Sequence, residues 1–358
     1  MTKNLTRIIW AFVALIFVSC SQSGKSGLQV PKDAGFVMHI DLKSLSGKLS
    51  WDEIKQSNWF KEASLEATDS LAQKLLNDPS SSGIDSDGSF VLFTAQHAGS
   101  AYIAFQGDLK DPEAYEKAIL ATTENKIPIV ASDDLKTMQL SNGDGLLVWN
   151  NKKFIIVNNT NLGELGNNSY NEYGELQGSG KQIPADSLLQ LTKNILALKG
   201  DQLLDSDKRF AELLSEKADM HFWANSSALV GESINMMTSM MKVGSLIEGN
   251  LSAGTLNFDN GKIAITGTQY FGEELTNLIK SHTPATIDDA VLNKLPSGDV
   301  FAAGVFNFPP NGLKELAKLT GTNGVLNGYL GEVGYSFDEF IQANKGNIAF
   351  AITDINMK

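Results

Sequence analysis

Residues 251–270 read LSAGTLNFDNGKIAITGTQY, and the pattern of this stretch decides the class of fold. Asn260-Gly261 suits a two-residue type I′ turn, because both residues tolerate the positive φ that such a turn demands. With the turn fixed, Asp259 stands opposite Lys262, Phe258 opposite Ile263 and Leu256 opposite Ile265. These apolar residues share one face, while Thr255, Asn257, Ala264 and Thr266 share the other. That is the pattern of an antiparallel pair packed on one side.

Strand signals recur on both sides of this hairpin. Phe36, Met38, Ile40 and Leu42 alternate with Val37, His39, Asp41 and Lys43, which predicts a strand with the first set inward. Phe90 to Ala95 and Ala101 to Gln106 flank a turn at His97-Ala98-Gly99, and Leu146 to Trp149 and Phe154 to Val157 flank Asn150-Asn151. Helical spacing appears over 50–77, with Phe60, Ser64, Ala67, Leu71 and Leu75 as one stripe closed by Asp78-Pro79. Asp111-Pro112-Glu113 is a helix start with a capping acid and a first-turn proline. Further helices are predicted at 185–198, 207–217, 228–247, 273–281 and 286–293, with a strand from Met220 to Ala224. The sum is an α+β protein, mostly antiparallel sheets with helices packed on one face.

Val30-Pro31-Lys32-Asp33-Ala34-Gly35-Phe36 is echoed by Leu295-Pro296-Ser297-Gly298-Asp299-Val300-Phe301. Each copy leads into a strand, a helical stretch and a second strand, which predicts pseudo-duplicated strand-helix-strand units. The expected layout is a signal peptide over 1–19, a lipidated tether over 20–29, an N-terminal α+β half over 30–182, middle helices and hairpin over 183–294, and a second repeat unit over 295–358. Because the second unit stops short of a hairpin partner, a truncated repeat is expected.

The start of the chain reads as a targeting segment. Lys3 and Arg7 precede an apolar run from Ile8 to Val18, too short to cross a bilayer as a helix. It ends in Phe17-Val18-Ser19-Cys20, which resembles the site where bacterial lipoprotein signals are cleaved and the new terminal cysteine acylated. Cys20 is the one cysteine of the chain, so an intramolecular disulfide is excluded and lipidation is the expected use of that thiol. The net charge of -12 works against phosphate backbones, so nucleic acid is not an expected partner.

The leader with Ser19-Cys20, the opening Val30-Pro31-Lys32-Asp33-Ala34, Gly83-Ile84-Asp85 before a strand and the Leu295-Pro296 start together resemble a family of uncharacterised lipoproteins of the Bacteroidetes type, known as a domain of unknown function. The resemblance spans most of residues 28–353. It implies a cell-envelope lipoprotein and brings no catalytic residues with it.

Chemistry is sparse in the sequence. His39, His97, His221 and His282 lack metal-ligand spacing, and no cofactor or metal is expected. His39 and Asp41 share a strand face and form the most suggestive acid/base pair, read in the first instance as polar residues on a strand. Gly178-Ser179-Gly180-Lys181 lacks the first glycine and the Ser/Thr of a phosphate loop. Asp85-Ser86-Asp87-Gly88 fits turn chemistry better than a calcium loop. Met236, Met237, Met240 and Met241 sit at helical spacing, a pattern for core packing or for a plastic apolar groove. Trp51 and Trp59 read as anchors of the helix they precede, whereas Tyr170 and Tyr173, in a polar loop over 158–182, have no evident packing role. Tyr170, Tyr173, Met237 and Met240 are therefore the candidate binding surface, and Cys20 the lipidation site. The expected function is a non-catalytic envelope lipoprotein, held to the outer membrane on its periplasmic side, that binds or scaffolds an envelope protein or glycan. The alternatives are an envelope hydrolase with a motif-less carboxylate site and a carrier of an apolar ligand.

Overall fold

The computed structural model describes residues 27–48, 50–58, 60–61, 78–123, 126–140, 145–160, 182–229, 244–283, 286–287, 289–296 and 300–353. The chain divides into two units, one of Met1–Gly231 with Leu251–Gln269 and the other of Glu232–Asn250 with Tyr270–Lys358.

In the first unit the strands are β1 (Phe36–Asp41), β2 (Ser89–His97), β3 (Ser100–Asp108), β4 (Val130–Ser132), β5 (Leu135–Gln139), β6 (Gly145–Trp149), β7 (Lys153–Thr160), β8 (Met220–Asn225), β9 (Leu251–Asp259) and β10 (Lys262–Tyr270). They form one ten-stranded sheet in the order β10-β9-β8-β1-β2-β3-β7-β6-β5-β4. Turn chemistry drives the local steps. Ala98 and Gly99 both take positive φ between β2 and β3, whereas between β9 and β10 Gly261 does and Asn260 does not, so that two-residue turn is not of the expected type I′. The side chains of Ser252 and Gln269 meet across β9 and β10, as the register set by the Asn260-Gly261 turn requires.

Among the described residues the α-helices of this unit are α1 (Leu42–Lys48), α2 (Trp51–Gln56), α3 (Pro112–Thr122), α4 (Ala185–Ala197) and α5 (Lys208–Ser215). α3 begins as its sequence dictates, with the Asp111 carboxylate accepting from the Glu113 and Ala114 amides. Its Tyr115 packs on Trp149 and Phe154 in a cluster with Leu109, Met138 and Leu147. On the opposite face a row of cross-strand partners, Ala253, Trp223, Val37, Phe93, Ala104, Val157 and Leu146, is buried throughout. α5 covers one end of this row through Phe210, edge-on to Trp223, and α4 covers strands β6 and β7. Helices thus lie on both faces of the sheet. Each large side chain buried in this way contributes about 1.5–3 kcal/mol.

Two side-chain assignments differ from the sequence reading. On β1 the deeply buried residue is Val37, while Phe36, Met38 and Ile40 are half-buried. On the terminal hairpin Leu251, Ala253 and Thr255 are buried, whereas Ile263 is 61% and Ile265 66% exposed. Small residues on β9 admit α5 close to the sheet, so the less apolar face takes the cover.

In the second unit the elements are α6 (Gly244–Ile247), α7 (Glu273–Ser281), α8 (Asp289–Leu292), β11 (Val300–Asn307), α9 (Pro310–Leu319), α10 (Asn323–Glu332), α11 (Phe337–Ala343) and β12 (Asn347–Thr353). Ala317, Phe337 and Ile341 form its small core with Leu313, Leu326 and Leu330. β11 and β12 pair antiparallel, as β1 and β2 do. The strand-helix-strand order therefore recurs, but the surroundings do not: β1 also pairs with β8, and β11 and β12 form a sheet of two strands.

Gly83 is fixed by its backbone. Its φ is +78°, its carbonyl accepts from the Lys110 and Asp111 amides, and an added Cβ would strike the Asp111 carbonyl and the Tyr115 amide at the start of α3. Gly83→Ala is expected to cost about 3 kcal/mol, from positive φ and unyielding backbone together. Chemical denaturation checks this, and a loss under about 0.5 kcal/mol would contradict it.

Candidate functional site

α1 is a helix the sequence reading did not isolate, since its Leu42 continues the alternation of β1. Its position is set by Asp219, which is 0% exposed just before β8. The Asp219 carboxylate accepts from Ser44 Oγ at 2.6 Å, Lys48 Nζ at 2.7 Å and the Phe258 amide at 2.6 Å, and its carbonyl accepts from the Asp41 amide. Burial pushes the Asp219 pKa up, but the Lys48 ammonium, the Ser44 hydroxyl and the Phe258 amide outweigh it and hold the carboxyl below the usual carboxylate range. One residue thus ties β1, through its carbonyl, to α1 and the end of β9, through its carboxylate.

So held, α1 leaves apolar space on both sides of Leu45. One cavity, of about 640 Å³, is lined by Leu42, Leu45, Trp51, Ile54, Ile84 and Phe90, with Pro79 and serines at its rim. Trp51 meets Phe60 edge-on at 5.4 Å. The second, of about 810 Å³, is lined by Ile40, Leu45, Met220 and Phe258 beside the Asn260-Gly261 turn. Both volumes lie in the range of small-molecule pockets. The polar groups around them are already engaged: Asp78 caps Ser80, Ser82 accepts from the Ile84 amide, and Lys48 is bound to Asp219. Neither cavity gathers an acid and a base free to act on a substrate.

The opposite face carries the one close histidine pair among the described residues. β1 and β8 place His39 opposite His221, and their Nδ1 atoms lie 3.1 Å apart. His221 Nε2 is 2.9 Å from the Glu216 carbonyl, which can only accept, so Nε2 carries the proton. In the neutral pair His221 Nδ1 is then the acceptor and His39 Nδ1 the donor. Burial, reinforced by His221 and opposed by Asp41 and Asp205, lowers the His39 pKa to about 4. Each ring spends its facing nitrogen on the other, so the pair is built as part of the core. Further along the same cross-strand row Gln106 is 3% exposed, with neither side-chain polar atom hydrogen-bonded.

His39 and Asp41, the most suggestive acid/base pair of the sequence, are engaged separately: His39 faces His221, and Asp41 Oδ1 accepts from the Ser44 amide at 2.9 Å. Asp85 caps the Asp87 amide, so that stretch is a turn. In the second unit His282 Nε2 meets Glu315 Oε2 at 2.6 Å. Among the described residues no three potential metal ligands converge, and no helix is long and apolar enough to cross a membrane. Cys20, Tyr170, Tyr173, Met237 and Met240 lie outside the described residues, as do Gly178–Lys181 and the stripe from Ser64 to Leu75. The cavity residues Leu45 and Ile54 were not singled out by sequence. Their signal was a leucine spacing in α1 too short to separate from the end of a strand.

Among solved structures, two crystal forms of TP0453 resemble the chain distantly. Form III is 9% identical with a TM-score of 0.37, covering 73% of this chain and 88% of that one. Form I is 10% identical with a TM-score of 0.37, covering 76% and 84%. No curated protein matches the chain. The sequence profile of one family matches residues 29–286, which takes in the whole ten-stranded sheet and both cavities beside Leu45. This chain therefore belongs to the family described as a domain of unknown function, DUF4836.

Proposed function

We propose that this protein is a non-catalytic lipoprotein of the cell envelope, anchored through Cys20 to the outer membrane on its periplasmic side, and that it binds an apolar ligand in the cavities flanking Leu45. The observation that carries the reading is the lining of the 640 Å³ cavity, Leu42, Leu45, Trp51, Ile54, Ile84 and Phe90, with its rim polar groups committed to turns and caps. Apolar walls of this kind favour a hydrocarbon chain over a sugar or a charged metabolite. The hydrolase alternative requires two carboxylates in one cleft, and the linings of these cavities supply no such pair.

Titration with a fluorescent fatty acid tests the binding. The full chain should bind it saturably, and Leu45→Trp, which fills the space on both sides of α1, should weaken binding about tenfold, or 1.4 kcal/mol, with unchanged thermal unfolding. Equal affinity in the parent and in Leu45→Trp would remove the cavities from the account. The anchor is tested separately: Cys20→Ser should release the protein from membrane fractions.

A further inference from the structure

β10 ends the ten-stranded sheet, and among the described residues no strand pairs with its outer side. It runs nine residues without proline, and Lys262 is its one charge. Its side chains are exposed almost throughout, with Ile263 and Ile265 the most prominent beside Phe258 on β9. Such an edge is a template for another strand unless charge, proline or a bulge blunts it.

The turn dictates which backbone groups are on offer. Asp259 and Lys262 flank a two-residue turn and exchange hydrogen bonds, so residues 262, 264, 266 and 268 bond to β9. Ile263, Ile265 and Gly267 therefore direct their amides and carbonyls outward.

We propose that two copies of this chain pair antiparallel through β10, with the two-fold axis at Ala264. This register sets Ile263 opposite Ile265 of the partner subunit, so the exposed isoleucines cover each other and their outward backbone groups exchange hydrogen bonds. Lys262 falls opposite Thr266 of the partner subunit, so no like charges meet. The same patch serves both copies, as a closed two-fold dimer requires. A seam of one strand pair falls below the roughly 1,200–2,000 Å² of a standard stable interface. The dimer is accordingly weak in dilute solution and strengthens where copies are crowded together. This inference is independent of the ligand proposed above.

Cysteine cross-linking tests it on the full chain carrying Cys20→Ser, so that an introduced thiol is the only one. At the axis Ala264 faces itself as a non-hydrogen-bonded pair, with Cα atoms about 4.5 Å apart, within disulfide reach. Thr268 lies eight residues of offset from its own copy, roughly 27 Å. Ala264→Cys should give a covalent dimer on mild oxidation at high protein concentration, Thr268→Cys should not, and adding Ile265→Lys to the first should cut its yield about fivefold, close to 1 kcal/mol of pairing. Ile265 is exposed, so that change leaves the fold intact. The proposal is overturned if Ala264→Cys gives no dimer, if Thr268→Cys cross-links equally well, or if Ile265→Lys leaves the yield unchanged.

Discussion

Asp219→Ala should destabilise the first unit by about 3 kcal/mol, the largest effect expected from any single side chain around the cavities. The carboxylate is fully buried and satisfies three donors, so its removal strands the Phe258 amide and the Ser44 hydroxyl and leaves the Lys48 ammonium without its closest partner. Breaking a buried pair costs about 3–5 kcal/mol, and the Lys48 side chain, 36% exposed, places this one at the lower end. Asp219→Asn keeps one acceptor, at the oxygen that faces the Phe258 amide, and turns its Nδ2 towards Ser44 Oγ, which can accept instead of donating, so it should cost only about 1 kcal/mol. The carboxyl is held below its usual range when folded, so its contribution is present above the unfolded carboxylate pKa and lost as pH falls through the folded one. Urea unfolding at neutral pH decides the matter, and a change within about 0.5 kcal/mol for Asp219→Ala would mean that α1 is held by something else. Because Asp219 positions α1, the same variant should also weaken ligand binding.

The His39–His221 pair should make stability fall as pH drops from 6.5 towards 4. The folded-state pKa of His39 is lowered from 6.5 to about 4, so the unfolded chain takes up a proton through this window while the folded chain does not. At 1.36 kcal/mol per pKa unit the full loss would be about 3 kcal/mol, and partial exposure of the ring brings it to about 2. Above pH 6.5 both states are neutral at this site and the effect vanishes. His39→Asn keeps a donor facing His221 Nδ1 and removes the titration. Its stability should be flatter between pH 6.5 and 4.5 than that of the parent. Matching slopes in the two proteins would show that His39 is not the group responsible.

Where structure follows from neighbouring residues, the sequence reading and the fold agree. Asn260-Gly261 and Ala98-Gly99 encode two-residue turns, although Asn260 does not take the positive φ that the expected type I′ turn demands, and Asp111-Pro112-Glu113 encodes the start of α3, because each signal acts within a few residues. The mixed α+β class with antiparallel strands follows from these local patterns. Non-local facts were not legible. His39 and His221 are 182 residues apart and meet only through the β1–β8 register, which no local pattern specifies. Apolar content favours Phe258, Ile263 and Ile265 as the buried side of the hairpin, whereas burial falls on Ala253 and Thr255 of β9, the strand that α5 contacts. The cavities are likewise products of how a seven-residue helix is pinned from a distance by Asp219, and Leu45 carries no motif of its own.

The most direct measurement of the central claim is organic extraction and mass spectrometry of the protein purified gently from envelopes, where a covalent anchor stays with the chain and a cavity ligand does not. About one apolar molecule per chain should be recovered from the parent and lost from Leu45→Trp. A parent protein that yields none, or a Leu45→Trp variant that yields the same molecule in the same amount, would contradict it.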